Sequence, residues 1–154
     1  MRPYNWMVTT MNDLTTKIGD SPEICVLADK LKQKVFIEEQ GVPKDEVFDG
    51  LNESAVHIVI LDGNNPVSTA RIINVGDVWR IGLVAVDKLM RGKRLGEKVM
   101  QVAIDYIINK AGNEIVLSAQ QEVCKFYEKL GFKRYGEVIV FESGFVLVPM
   151  KYNI

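Results

Sequence analysis

Between Ile81 and Val99 the chain reads IGLVAVDKLMRGKRLGEKV, and no other stretch restricts the fold so tightly. An apolar, β-branched run ends at Asp87, a short loop carries the basic tract Arg91-Gly92-Lys93-Arg94, and an amphipathic helical pattern begins at once. The first run favours a strand and the spacing after it a helix. The start of a helix leaves its first N–H groups unpaired and carries the positive end of the helix dipole. With arginine and lysine alongside, such a connection suits a phosphorylated ligand. An exposed basic helix start that holds nothing is the competing reading of the same residues.

The loop is neither of the common nucleotide fingerprints. No GK[ST] follows a spaced glycine and no hydroxyl is placed for magnesium, while Gly92 and Gly96 do not make GxGxxG. A cradle for phosphate or pyrophosphate remains. With 19 basic against 20 acidic residues the net charge is −1, which argues against a nucleic-acid binder. No apolar run approaches the length of a membrane span, and the start MRPYNWMVTT lacks the apolar centre of a signal peptide, so a cytoplasmic protein without membrane partners is expected. Cys25 and Cys124 have no metal-ligand or CxxC spacing and read as buried, reduced thiols, with no metal site expected. The 154 residues, 47% of them apolar, predict a single domain over 1–154.

Along the chain, Trp6 to Thr10 is a candidate first strand. Ser21-Pro22-Glu23 is a helix start, with a capping hydroxyl and a proline in the first turn. Ile24, Leu27, Ala28, Leu31 and Val35 then recur at helical spacing to about Glu38. Gly41-Val42-Pro43 breaks this pattern, and Lys44 to Ser54 reads as an acidic loop with one helical turn. Val56–Leu61, Val67–Asn74 and Val78–Val86 are strands joined by turn residues, giving an antiparallel meander. A helix follows the basic loop and ends at Ala111-Gly112-Asn113. Strand Glu114–Ala119, helix Glu122–Leu130 and strands Lys133–Phe141 and Phe145–Lys151 complete the order β–α–βββ–α–β–α–ββ. This is an α/β (α+β) chain with a mixed sheet and packed helices. Trp6 and Trp79 are expected in the core, and Phe145–Lys151 is a candidate free edge for a homodimer.

The strand–RGKRLG–helix unit followed by LSAQQEVCKFYEKLGF (Leu117 to Phe132) resembles the Gcn5-related N-acetyltransferase (GNAT) superfamily. VFIEEQGVP (Val35 to Pro43), the lone His57 and the late SAQ…FYEKLGF resemble its small ElaA-like branch. The resemblance spans about residues 24–150 and implies a mostly antiparallel central sheet with helices on both faces. It further implies that Leu83, Val84, Ala85 and Val86 offer backbone groups to the pantetheine arm of acetyl-CoA. Arg91, Gly92, Lys93, Arg94, Leu95 and Gly96 would wrap its pyrophosphate. The family pattern Arg/Gln-x-x-Gly-x-Gly/Ala is met by Arg91 and Gly96, whereas Arg94 replaces the first glycine. Gln120 falls where many members carry an asparagine near the pantetheine. Phe126 precedes Tyr127, whose phenol falls where the family places a proton donor to the departing thiolate.

For the base, His57 is a candidate because it is the only imidazole and its pKa suits neutral pH, although a lone histidine at the edge of a strand is often a satisfied core residue. Glu39 and Gln40 end the first helix near the expected groove and are candidates for acceptor binding; solvation of Glu39 explains it as well. Asp45, Glu46 and Asp49 read either as an acidic lip for a basic substrate or as a solvated loop. Related ElaA-like chains often carry GIPH where this chain has Gly144-Phe145-Val146-Leu147, so no acceptor is transferred from them. The expected function is acetyl transfer from acetyl-CoA, the co-substrate, to an amine of a small molecule or peptide by direct attack in a ternary complex. The alternatives are a non-catalytic CoA-binding or sensing module and a phosphate-binding interaction domain.

Overall fold

The computed structural model describes residues 14–142 and 144–154, so the expected strand at Trp6–Thr10, and Trp6 itself, lie outside the described residues. The strands are β1 Leu14–Gly19, β2 Val56–Asp62, β3 Asn65–Val75, β4 Val78–Val86, β5 Glu114–Gln120, β6 Lys133–Arg134, β7 Ile139–Val140 and β8 Val146–Asn153. The helices are α1 Pro22–Lys32, continued without a break by a π-helix Gln33–Glu39, then α2 Lys44–Val47, α3 Leu95–Asn109 and α4 Cys124–Lys129. Hydrogen bonding orders the strands β1-β2-β3-β4-β5-β8-β6, with β7 also on β8. This is the mixed, mostly antiparallel sheet that the sequence predicts, with β4 and β5 as its parallel pair.

The chain divides into two compact units. One comprises the described residues up to Arg71 together with Leu83–Ala103; the other comprises the described residues of Ile72–Gly82 and Ile104–Ile154. In the first, the Ser21 hydroxyl caps α1 by accepting the Ile24 N–H at 3.3 Å, and Pro22 occupies the first turn. Ile24 and Ala28 of α1 bury against Val59 and Leu61 of β2. Beyond Lys32 the winding loosens. The Val35 carbonyl accepts the Gln40 N–H at 3.2 Å, an i→i+5 bond, so the predicted helix has the right length but not one winding throughout. Val35 and Phe36, adjacent in sequence, are both buried there with Leu31, Val47 and Ala85.

In the second unit, β5 pairs antiparallel with β8 from Glu114↔Asn153 to Gln120↔Leu147. Gly112 lets the end of α3 close against Trp79, because a Cβ there would lie 2.5 Å from Ile107 Cγ2 and 3.0 Å from the indole. Trp79 is half-buried rather than a full core residue. Three expectations need correction. The strand β1 was not anticipated. The strand expected over Lys133–Phe141 is two short ones, interrupted where Gly136 takes φ +69°. Finally, β8 is paired with β5 on one side and with β6 and β7 on the other, so it offers no free edge to a second copy.

Candidate active site

The β4–β5 ladder is short. It pairs Trp79 with Ile115 and Arg80 with Val116, and then ends although β4 continues to Val86. Leu83, inside that continuation, has φ +48°, a left-handed conformation that costs a residue with a branched side chain roughly 1–2 kcal/mol. The packing around it supplies the compensation. Leu83 rests with Ile37, Val42 and Phe48 on the cluster formed by the π-helix, α2 and Ala85. The result is a kinked strand whose ladder to β5 is cut short before Leu83–Val86.

Past the kink the chain is tied down at each step. The Ser68 hydroxyl lies 3.2 Å from the Ala85 carbonyl and 3.3 Å from the Leu95 carbonyl, and the Asp87 N–H donates to Val67 O at 2.9 Å. Asp87 is 3% exposed; its Oδ1 accepts the Leu89 N–H at 3.0 Å and its Oδ2 meets Lys34 Nζ at 2.7 Å. Lys34 holds the Asp87 carboxyl below its ordinary range against the opposing effect of burial. Arg91 donates from Nε to Val86 O at 3.1 Å and from its two terminal nitrogens to Glu39 at 2.6 and 2.8 Å.

Gly92 and Arg94 then both take left-handed conformations, with φ +81° and +62°. Arg94, which stands where the family pattern has glycine, is thus in a conformation that glycine adopts without strain. Its carbonyl accepts the Lys98 N–H at 3.0 Å, which makes it the cap of α3. Gly92, Lys93 and Arg94 are exposed, whereas Leu95 is 3% exposed and anchors the helix start. A left-handed turn opening onto a fifteen-residue helix with three exposed cations nearby, Lys93, Arg94 and Lys98, fits a diphosphate. Because Arg94 is exposed yet left-handed, Arg94→Asn should leave stability unchanged while Arg94→Val costs about 1–2 kcal/mol. Urea titration checks this, and equal midpoints for the two variants would refute the strain.

In the second unit, Gln120 ends β5 half-buried, and its carbonyl lies 3.8 Å from Cys124 Sγ. Phe126 is half-buried and meets Tyr127 edge-on at 5.0 Å, and Tyr127 in turn meets Phe132 at 6.0 Å. Tyr127 is 8% exposed, and burial pushes its phenol up to about 12. Leu147, the departure from the GIPH pattern, pairs with Gln120. Burial also raises both thiols, Cys25 and Cys124.

His57 is fully buried. Its Nε2 lies 2.9 Å from the Asn52 carbonyl and its Nδ1 3.4 Å from Lys32 Nζ, an arrangement satisfied by an Nε2–H donor and an Nδ1 acceptor. Burial lowers its pKa, opposed by the Asn52 carbonyl and reinforced by Lys32. The same cluster holds Asn52 Nδ2 on Asp29 at 3.3 Å, and Arg71 on both oxygens of Asp49 at 2.9 and 3.1 Å. Lys32 has no exposed side-chain surface, and burial lowers its pKa to about 8. Sequence reading missed Lys32, Asn52 and Arg71. The available signal was Lys32 itself, a lysine one turn after Ala28 within the apolar face of α1.

Glu39 and Gln40 lie at the end of the π-helix. Both Glu39 oxygens are held by Arg91, which lowers its pKa; Gln40 is exposed. Of the proposed acidic lip, Asp49 is internally paired, whereas Asp45 and Glu46 are exposed.

The sequence profile of the acetyltransferase (GNAT) domain matches residues 26–154. The chain belongs to the GNAT acetyltransferase family. Among its relatives is a candidate acetyltransferase of Bacillus subtilis (strain 168), 34% identical over 118 residues, 74% of this chain and 80% of that one. Protein ElaA of Escherichia coli K12 is 28% identical over 114 residues, 71% of this chain and 74% of ElaA, which places the GNAT chain in the ElaA-like branch. The crystal structure of ElaA superposes with a TM-score of 0.81, covering 91% of this chain and 99% of that one. An aminoglycoside 6'-N-acetyltransferase crystallised with coenzyme A shares the fold at a TM-score of 0.69 and 17% identity, covering 91% and 96% of the two chains. The protein is a GNAT N-acetyltransferase, and CoA-type binding accords with the fold. No helix among the described residues is long and apolar enough to cross a membrane.

Proposed function

We propose that this GNAT protein transfers an acetyl group from acetyl-CoA to an amine of a small molecule or peptide by direct attack, with both substrates bound at once. The observation that carries the reading is the kink at Leu83, followed within a dozen residues by the left-handed turn into α3. Backbone groups of Leu83–Val86 receive the pantetheine arm as a strand receives an added strand. The turn from Gly92 to Gly96 holds the diphosphate through main-chain N–H groups, assisted by Lys93 and Arg94. Gln120 and Phe126 are assigned to the cofactor side, and Gln40 to the acceptor.

In this reading, main-chain donors of β4 polarise the thioester carbonyl; a preorganised donor of that kind is worth about 3 kcal/mol. Tyr127 protonates the departing thiolate, and its high pKa keeps the phenol loaded with its proton at neutral pH. His57, with both ring nitrogens engaged inside the protein, acts by fixing the Asn52 segment rather than by taking the amine proton, which passes to solvent. Holding two substrates together supplies the remaining advantage through proximity.

The test is calorimetric binding of CoA, followed by release of free CoA from acetyl-CoA across a panel of amines. Binding with turnover of one amine class supports the proposal. Binding with no turnover across a broad panel favours a CoA sensor, and no binding removes both.

A further inference from the structure

The π-helix joins to the start of the phosphate loop at two points. Lys34 Nζ contacts Asp87 Oδ2 at 2.7 Å, and Glu39 takes both terminal nitrogens of Arg91 at 2.6 and 2.8 Å. These partners are five residues apart on one element and four apart on the other. In an α-helix, residues five apart point roughly 140° away from each other. Under i→i+5 winding they come round to nearly the same side. The loosened segment therefore lets one short stretch of helix engage both ends of the Asp87–Arg91 turn.

We propose that the π-helix Gln33–Glu39 is a brace for the phosphate loop, with Glu39 as a positioning residue and Arg91 as a strut rather than a ligand of the diphosphate. Arg91 is engaged at each of its three nitrogens, one on the Val86 carbonyl and two on Glu39. The residue thus spans from the end of β4 to the end of the π-helix just before the left-handed Gly92. Releasing it frees the backbone at the point where the loop begins to turn. A partly exposed ion pair contributes little to folding, so the effect of this one is on loop geometry and is read in cofactor affinity. Glu39 moves accordingly from the acceptor side to the cofactor side of the site.

This inference rests on the CoA reading above, and its test separates the two. CoA affinity is measured for the unaltered protein, Glu39→Gln, Arg91→Gln and the double variant, each at several salt concentrations, together with steady-state kinetics. Glu39→Gln should weaken CoA binding and raise the acetyl-CoA KM about tenfold, with kcat within twofold, and Glu39→Asp should recover part of the loss. Arg91→Gln should match Glu39→Gln, the double variant should be no worse than either, and the dependence of affinity on salt should be the same in all four. Unchanged or tighter binding by Glu39→Gln overturns the brace. So does an Arg91→Gln variant that loses far more affinity than Glu39→Gln and becomes less salt-sensitive, because that result makes Arg91 a direct anion ligand. Absence of CoA binding by the unaltered protein instead rejects the functional reading and the brace with it.

Discussion

Replacement of Tyr127 by phenylalanine should lower kcat about 100-fold while leaving the acetyl-CoA KM within threefold, the size of effect expected when a positioned proton donor is lost. The substitution keeps the ring and its edge contacts with Phe126 and Phe132, so packing is preserved and only the hydroxyl goes. The pH profile gives a second readout. Burial raises the phenol to about 12, so Tyr127 remains protonated through the assay range and contributes no loss of rate below about pH 10. A Tyr127→Phe enzyme with kcat within threefold of the parent would remove the phenol from the mechanism.

The second large effect concerns Lys32. In the unfolded chain its pKa is near the ordinary 10.5; in the folded protein burial lowers it to about 8. Between those values the unfolded state binds more protons, so raising the pH stabilises the fold. Below about pH 8 the ammonium is charged in both states and the whole penalty is present; above 10.5 it has gone. A difference of about 2.5 units corresponds to about 3 kcal/mol. No discount for solvent applies, because the Lys32 side chain has no exposed surface. Chemical denaturation should show stability climbing from pH 8 to pH 10, and Lys32→Met should remove that climb. At neutral pH the variant gains from losing the buried charge but leaves His57 Nδ1 without its donor, so the pH slope is the diagnostic and not the midpoint. Parallel pH curves for the two proteins would show that Lys32 carries no such penalty. Asp29, the Asn52 side-chain oxygen, His57 Nδ1 and the more distant Asp49 explain how the charge is tolerated at all, against repulsion from Arg71.

Those two residues differ in how visible they were in the chain. Tyr127 sits in a motif, Phe126-Tyr127 before Leu130-Gly131-Phe132, and the motif carries its own context. Lys32 sits in no motif, and its burial depends on β2, β3 and the Asn52 turn arriving around it, which periodicity along one helix does not encode. The same contrast holds for the fold. The three strands joined by turn residues and the helix after the basic loop were legible because apolar runs, turn residues and helical spacing are local signals. β1 was missed because its two adjacent exposed threonines, Thr15 and Thr16, break the alternation that signals a strand, and the Lys133–Phe141 segment was read as one strand because its apolar residues mask the left-handed break at Gly136.

At the candidate site, the basic loop and its helix were visible as chemistry, but their geometry was not. That Arg94 would adopt a left-handed conformation follows from the turn into α3, not from the identity of the side chain. The Glu39–Arg91 and Arg71–Asp49 pairs join residues 52 and 22 positions apart. Pairing at that range is decided by topology, so two of the carboxylates that looked available for a cationic acceptor, Glu39 and Asp49, are paired within the chain, while Asp45 and Glu46 are exposed.

The π-helix couples chain length to winding in one short segment. At about 100° per residue, an ordinary helix brings positions four apart, not five, onto one face. Deleting a single residue between Val35 and Glu38 would therefore let the stretch rewind as an ordinary helix with Lys34 and Glu39 still on the same side. Restoring ordinary winding at the present length would instead swing Glu39 away from the guanidinium it holds.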